Sequence, residues 1–286
     1  MREVHGPPNA PATGAHNVLG REGIPPLELL AAGRQEAEAY GVEVRDDAVL
    51  TVARSGDGFD LRLHAGEAPR VRRLVLATGL VDQLPDVPGV RELWGRSVLH
   101  CPYCHGWEVR GQRIGVLATS PMSVHQALLF RQLSPHVTLF LHTVDELDDG
   151  AWEQLAALDV EVVTGVVDRL RVASGTLRAV VLADGHEQRV DAVVVAPRFE
   201  ARGDLYRQLG GEVNEHPMSG TFVETDPMGR TAVAGVWAAG NARDLQAMVS
   251  AASADGVRAG AAVNADLVAE DAAAAVQARY GTVGAT

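Results

Sequence analysis

Only two cysteines occur in the 286 residues, and they stand three apart in Cys101-Pro102-Tyr103-Cys104-His105-Gly106. Two thiols separated by two residues, at a loop or helix start, can close a small disulfide that opens and re-forms by thiolate attack. A helix N-terminus and a neighbouring histidine lower a thiol pKa and supply thiolate near neutral pH. Other chemistries share this spacing. Half a zinc site would need a second ligand pair, and no second CxxC exists. CxxCH also attaches haem covalently, but that requires an export signal the N-terminus does not show. Two structurally idle cysteines are the plainest alternative. The motif therefore points to a redox disulfide with no metal, in which His105 shuttles protons; the bland alternative for His105 is a surface histidine at a helix start. Glu108 and His100 are weaker polar candidates nearby.

The elements around the motif alternate. Pro25-Pro26 leads into a helix over 27–40. Short strands are expected at 42–44, 49–53 and 60–64, with Ser55-Gly56-Asp57-Gly58 as a hairpin turn. Residues 71–78 (VRRLVLAT) read as a buried strand stopping at Gly79, and Pro85, Pro88 and Gly89 as a linker. A second α/β unit starts near Ser97. It has strands at 113–118, 136–142 and 160–167, helices at 123–132 and 152–158, a hairpin through Gly175 and Asp184-Gly185, and a buried strand at 191–196. A strand over 233–239 then runs into Gly240, and a helix over 245–270 precedes an Ala-rich tail expected to fray. Strands alternating with helices imply an α/β fold with a mainly parallel sheet. The like strand ends LVLATG, DAVVVAP and GVWAAGN suggest two nucleotide-binding-type units, the second inserted into the first.

Composition narrows the partners. Hydrophobic residues at 47% and charged residues at 22% exclude disorder and collagen-like repeats. A net charge of −12 argues against nucleic acid or an anionic membrane surface as partner. The two longest charge-free stretches, 4–20 and 114–130, are 17 residues each and too polar to span a membrane. Without an apolar core for a secretory signal, the expected location is the cytoplasm.

CPYC also matches glutaredoxin-type sites, but those sit near the start of a small thioredoxin fold, and here roughly a hundred residues of α/β structure come first. The order LVLATG (74–79), LPDVPGV (84–90), CPYCHG (101–106) and GVWAAGNARD (235–244) instead resembles the low-molecular-weight thioredoxin reductase family, over about residues 10–270. The resemblance implies two Rossmann-like three-layer domains. An FAD-binding domain would be formed by 1–83 and 202–286, with an inserted pyridine-nucleotide-like domain, 84–201, carrying the CxxC. It implies a homodimer and FAD, with Ala77, Thr78, Gly79, Gly240, Asn241, Gln246 and Ala247 at the flavin, the last two at a helix start whose dipole suits a reduced flavin or pyrophosphate. A plain N-cap is the simpler role for Asn241, and both can hold together. By analogy Cys104 faces the flavin and Cys101 is the exchange partner.

Three departures refine the resemblance. The stretch Val116-Leu117-Ala118-Thr119-Ser120-Pro121-Met122-Ser123 has no glycine where a dinucleotide pyrophosphate needs close backbone approach, and Pro121 lacks an N–H. The next strand ends Phe140-Leu141-His142-Thr143-Val144-Asp145, with no arginine for a 2′-phosphate, so NADPH binding is doubtful. His105 stands where thioredoxin reductases have aspartate; CPYCHG without an NADPH fingerprint resembles flavoenzymes that close disulfides in small natural products and pass the electrons to oxygen. Third, the family opens with a strand, GxGxxG and helix for the ADP half of FAD, whereas this sequence begins Gly6-Pro7-Pro8-Asn9, like the loop after the second strand. A start codon placed too late and a remnant with a crippled FAD site both account for that. The expectation is a flavin-dependent oxidase of a small-molecule dithiol. The alternatives are an NADPH-dependent reductase of a thioredoxin-like protein and a non-catalytic, FAD-deficient remnant.

Overall fold

Continuous apolar runs such as Ile114–Leu117 (IGVL) and Val137–Phe140 (VTLF), buried at every position, can satisfy both faces only in a sheet covered on both sides. The computed structural model, which describes residues 9–67, 70–120, 122–217 and 220–281, builds them into such a sheet. The chain forms two units. One comprises 9–40 and 82–198, the other 41–81 and 199–281. Residues 9–40, expected within the first segment of the flavin domain, thus group with the CxxC instead.

In the CxxC unit five strands run in the order Val98–Leu99, Ala192–Val194, Ile114–Leu117, Val137–Phe140 and Glu161–Val163, each neighbouring pair parallel. Successive residues alternate between two cores. Val116, Leu139 and Val194 meet Phe130 of the helix Met122–Arg131 and Leu155 of the helix Asp149–Ala157. Leu117, Phe140 and Val193 meet Leu170 and Val180 of the antiparallel strands Val167–Ala173 and Thr176–Leu182, to which Glu187–Arg189 adds a third. The strand expected over 160–167 breaks at Gly165, whose φ of +107° suits glycine.

In the other unit the hairpin Val49–Ser55/Gly58–Leu63 turns through Gly56 and Asp57, as expected. Leu74–Leu76 and Val236–Ala238 make a two-stranded parallel sheet. Val213–Glu215, Gly220–Val223, Arg198–Ala201 and Leu80–Gln83 form a further sheet, the last two being the strands by which the chain passes between units. Val52, Phe59, Leu76, Tyr206, Val223 and Val236 make the core.

Three further expectations need correcting. Residues 42–44 form no strand; Val42 and Val44 are exposed, so no apolar burial rewards one. The run 71–78 is strand only over Leu74–Leu76, and of those three only Leu76 is buried, so little apolar burial rewards a longer strand. The long helix is Val249–Gly281, starting later and ending later than expected. Its start is delayed by side chains that capture the preceding backbone: Asp244 Oδ1 accepts from Gln246 N at 3.0 Å, and Asn241 Nδ2 donates to Ala247 O at 3.0 Å. Its end runs on because alanine, dominant in 272–275, is the best helix former. Pro7, Pro8 and Pro121, singled out above, lie outside the described residues.

Candidate active site

Strand Val98–Leu99 delivers the chain through His100 to Cys101, which caps the short helix Pro102–His105 with extended backbone (φ −97°, ψ 123°). Pro102 fits the first helical position, where no N–H is needed. The amides of Cys104 and His105 close onto Cys101 O at 3.3 and 3.2 Å. Gly106 ends the turn because a Cβ there would lie 2.3 Å from Pro102 O and 2.4 Å from Leu133 Cδ1.

Both cysteines are half-buried thiols, and their roles differ. The Cys104 thiol donates to Cys101; against the opposing effect of burial, this and the Tyr103 and Cys104 amides bring Cys101 down to about 7. Cys104 is pushed up by that same hydrogen bond, by burial, and by the negative charges of Cys101 and Glu108. The shared hydrogen bond thus favours the thiolate on Cys101 and the proton on Cys104.

His105 is half-buried. Its Nε2 is buried and has no hydrogen-bond partner among the described residues. Burial lowers its pKa, Glu108 pulls it back up, and His16 opposes that. His105 and Glu108 line one cavity of about 260 Å³ with Thr13, Arg96, Leu99 and Val109. His100 sits deeper: Nδ1 lies 3.0 Å from Val195 O, and Gln126 Nε2 donates to His100 O at 3.0 Å, which ties the motif to the neighbouring strand. Burial depresses its pKa, the Val195 bond partly offsetting this.

Sequence reasoning missed what the loop before Pro26 contributes. Asn17 Nδ2 donates to Tyr103 O at 2.9 Å. His16 contacts Glu22 through Nδ1 at 2.6 Å and Glu108 through Nε2 at 2.5 Å. A histidine in a loop with Pro and Gly carries no signal of this until its carboxylate partners are seen.

In the other unit the parallel strands end side by side, with Ala238 opposite Leu76 and Ala239 N donating to Leu76 O at 3.1 Å. Ala77, Thr78 and Gly79 therefore lie at the same sheet edge as Gly240 and Asn241. Thr78 Oγ1 is engaged with Arg202 O at 2.8 Å. Gly240, at φ +66°, opens a short 3-10 turn, and its N–H donates to the buried Asp255 carboxylate at 2.8 Å. Arg243 and Arg258 also hold Asp255, at 2.5 and 3.1 Å. Burial would raise the Asp255 pKa, but the Gly240 amide and the two arginines bring it below the usual carboxylate value. Asn241 is no N-cap: its amide donates to Asp244 O and Ala247 O. Gln246 and Ala247 sit in the turn just before the helix rather than on it.

Residues 13–256 match the family described as pyridine nucleotide-disulphide oxidoreductase. The chain belongs to that family. It is 31% identical over 245 residues to the thioredoxin reductase tcpT of Claviceps purpurea, covering 82% of this chain and 75% of that one. It is 34% identical over 225 residues to the thioredoxin reductase sirT of Leptosphaeria maculans, covering 74% and 68%. Among solved structures, HlmI superposes with a TM-score of 0.89 at 44% identity over 97% of this chain and 87% of that one. An oxidoreductase from Agrobacterium tumefaciens gives 0.85 at 33% over 93% and 88%. This member of the pyridine nucleotide-disulphide oxidoreductase family is accordingly an FAD-type oxidoreductase acting on sulfur groups, with the mixed α/β, parallel-sheet fold of thioredoxin reductases. Among the described residues no helix is long and apolar enough to cross a membrane, and no cluster could hold a metal. The residues present fit FAD. Two parallel strands end in left-handed glycines at one edge, where backbone can approach a ligand, and a helix of 33 residues begins beside them.

Proposed function

We infer that the chain oxidises a small-molecule dithiol to a disulfide through Cys101 and Cys104. A substrate thiolate attacks Cys101 and releases Cys104, which its surroundings keep protonated. The second substrate thiol then displaces Cys101 as thiolate and closes the substrate disulfide. Ala77, Thr78, Gly79, Gly240 and Asn241 would hold FAD, with Gln246 and Ala247 at the approach to the helix. When bound, FAD would supply the two-electron acceptor chemistry that re-forms the Cys101–Cys104 disulfide, with oxygen as the final acceptor. His105 accepts and returns protons beside Cys104.

The observation that carries this reading is the loop after Ile114–Leu117. Its polar groups are turned inward: Ala118 N donates to Phe140 O at 2.8 Å, Thr119 N to Ser123 Oγ at 3.3 Å, and Ser123 N to Ser120 O at 3.0 Å. His142 Nδ1 accepts from Val167 N at 3.1 Å, and burial lowers the His142 pKa, which disfavours the charged form a 2′-phosphate would need. Losing two charge-assisted hydrogen bonds worth roughly 1.5–3 kcal/mol each weakens a dinucleotide by on the order of a hundredfold or more. The rival reading, a reductase of a thioredoxin-like protein, rests on the names of the relatives. The test is aerobic incubation of FAD-loaded protein with dithiothreitol, following oxygen uptake and hydrogen peroxide. One peroxide per disulfide supports the oxidase; no oxygen uptake overturns it.

A further inference from the structure

The loop 13–22 adds polar groups to the CxxC helix that the exchange above does not use. His16 is clamped between two carboxylates, Glu22 at 2.6 Å and Glu108 at 2.5 Å; Glu22 is 65% exposed, His16 23% and Glu108 37%. Glu108 occupies the wall of the cavity that His105 also lines, and the buried Nε2 of His105 has no partner among the described residues. Arg96 lines the same cavity but is turned onto Glu92 O at 2.5 Å, and Arg110 stacks on Trp107 with its carbon 4.2 Å from the ring centre.

The exchange leaves a proton to place. When a dithiol reduces the Cys101–Cys104 disulfide, the enzyme S–S bond breaks and a substrate S–S bond forms. Two electrons reach the cysteine sulfurs and two protons leave the substrate thiols. One proton ends on Cys104. The other must depart, because Cys101 is a thiolate from about pH 7 upward.

We propose that His16 is a positioning residue for this step: clamped by Glu22, it holds the Glu108 carboxylate at the cavity shared with His105, so that the His105–Glu108 pair accepts the departing proton. Glu22 fixes His16 behind Glu108, and the two carboxylates raise the His16 pKa and so favour its charged form, as carboxylate–histidine pairs orient reacting groups elsewhere. The charges act on His105 in opposite senses, Glu108 raising its pKa and His16 lowering it. The inference rests on disulfide exchange at Cys101–Cys104 and not on whether oxygen or a dinucleotide is the other substrate.

The test uses the full chain, dithiothreitol as the dithiol, and two readouts: the pH titration of the His105 ring by NMR, and the rate at which dithiothreitol reduces the Cys101–Cys104 disulfide across pH. Glu108→Gln moves the His105 midpoint down and slows reduction at neutral pH by about a hundredfold or more, the usual range for proton transfer by a placed side chain. His16→Gln moves that midpoint up. Glu22→Gln, an exposed change whose amide oxygen can still accept from Asn17 N, moves it in the same direction as His16→Gln but less. Equal or same-signed midpoint shifts for Glu108→Gln and His16→Gln, or parent-like reduction rates in all three variants, overturn the proposal.

Discussion

In the CxxC unit the strand Ile114–Leu117 ends in a loop without glycine whose amides bond inward, yet its sheet has five parallel strands and two packed faces. In the other unit both parallel strands end in left-handed glycines, yet only two strands pair there and Val75 is 43% exposed. The long helix beside them buries only Asp255 and Ala259 among its residues up to Tyr280. One unit has the better sheet, the other the better nucleotide edge. Packing and ligand approach are thus separable demands on an α/β unit: the first is met by apolar volume on both faces, the second by backbone that can come close and donate.

The widest separation between the units is chemical. Cys101→Ser and Cys104→Ser should each abolish dithiol oxidation, since one thiol cannot re-form the disulfide; near-full turnover in either would remove the CxxC from the mechanism. Within the pair, alkylation of reduced protein by iodoacetamide, read peptide by peptide, should give Cys101 a midpoint at about pH 7 against an ordinary value of 9.0. Below that pH Cys101 carries about a hundredfold more thiolate than an ordinary cysteine. Cys104 should stay unreactive over the same range, and equal reactivity would contradict the division of roles.

In the unit of the two-stranded sheet Asp255→Ala leaves Arg243 without its buried partner and frees the Gly240 amide, a loss of about 3 kcal/mol measured by urea unfolding. The folded pKa of Asp255 is lowered, so its contribution is present above the ordinary carboxylate value of 3.8 and lost as pH falls through the folded value. Unfolding that is insensitive to Asp255→Ala would make the Gly240 turn self-supporting. The smallest effects contrast the sheets directly. Val116→Ala, fully buried, should cost about 2 kcal/mol, and Val75→Ala less than about 0.5 kcal/mol. Comparable costs would mean that the two-stranded sheet is as tightly packed as its neighbour.

The local signals were legible. Cysteine spacing, the apolar runs at 114–117, 137–140 and 236–238, and Gly240 after the last of these fix the strands and the thiol pair within a few residues. What was not legible depends on partners distant along the chain. Asp255 reads as one acid in an Ala-rich helix until its bond to Gly240, 15 residues earlier, is seen. His16 reads as a loop residue until Glu108 meets it. The helix start was misplaced because Asp244 and Asn241 hold the preceding turn by side-chain bonds, which compete with helix in a way apolar periodicity does not report.

The central claim is that electrons enter from a dithiol through Cys101 and Cys104 and leave to oxygen without a nicotinamide dinucleotide. Anaerobic titration of the flavin absorbance of FAD-loaded protein tests it most directly. Dithiothreitol should bleach the flavin, micromolar NADPH should leave it unchanged, and admitting oxygen should restore the colour with hydrogen peroxide as product. Rapid bleaching by NADPH would contradict the account and make the protein a disulfide reductase.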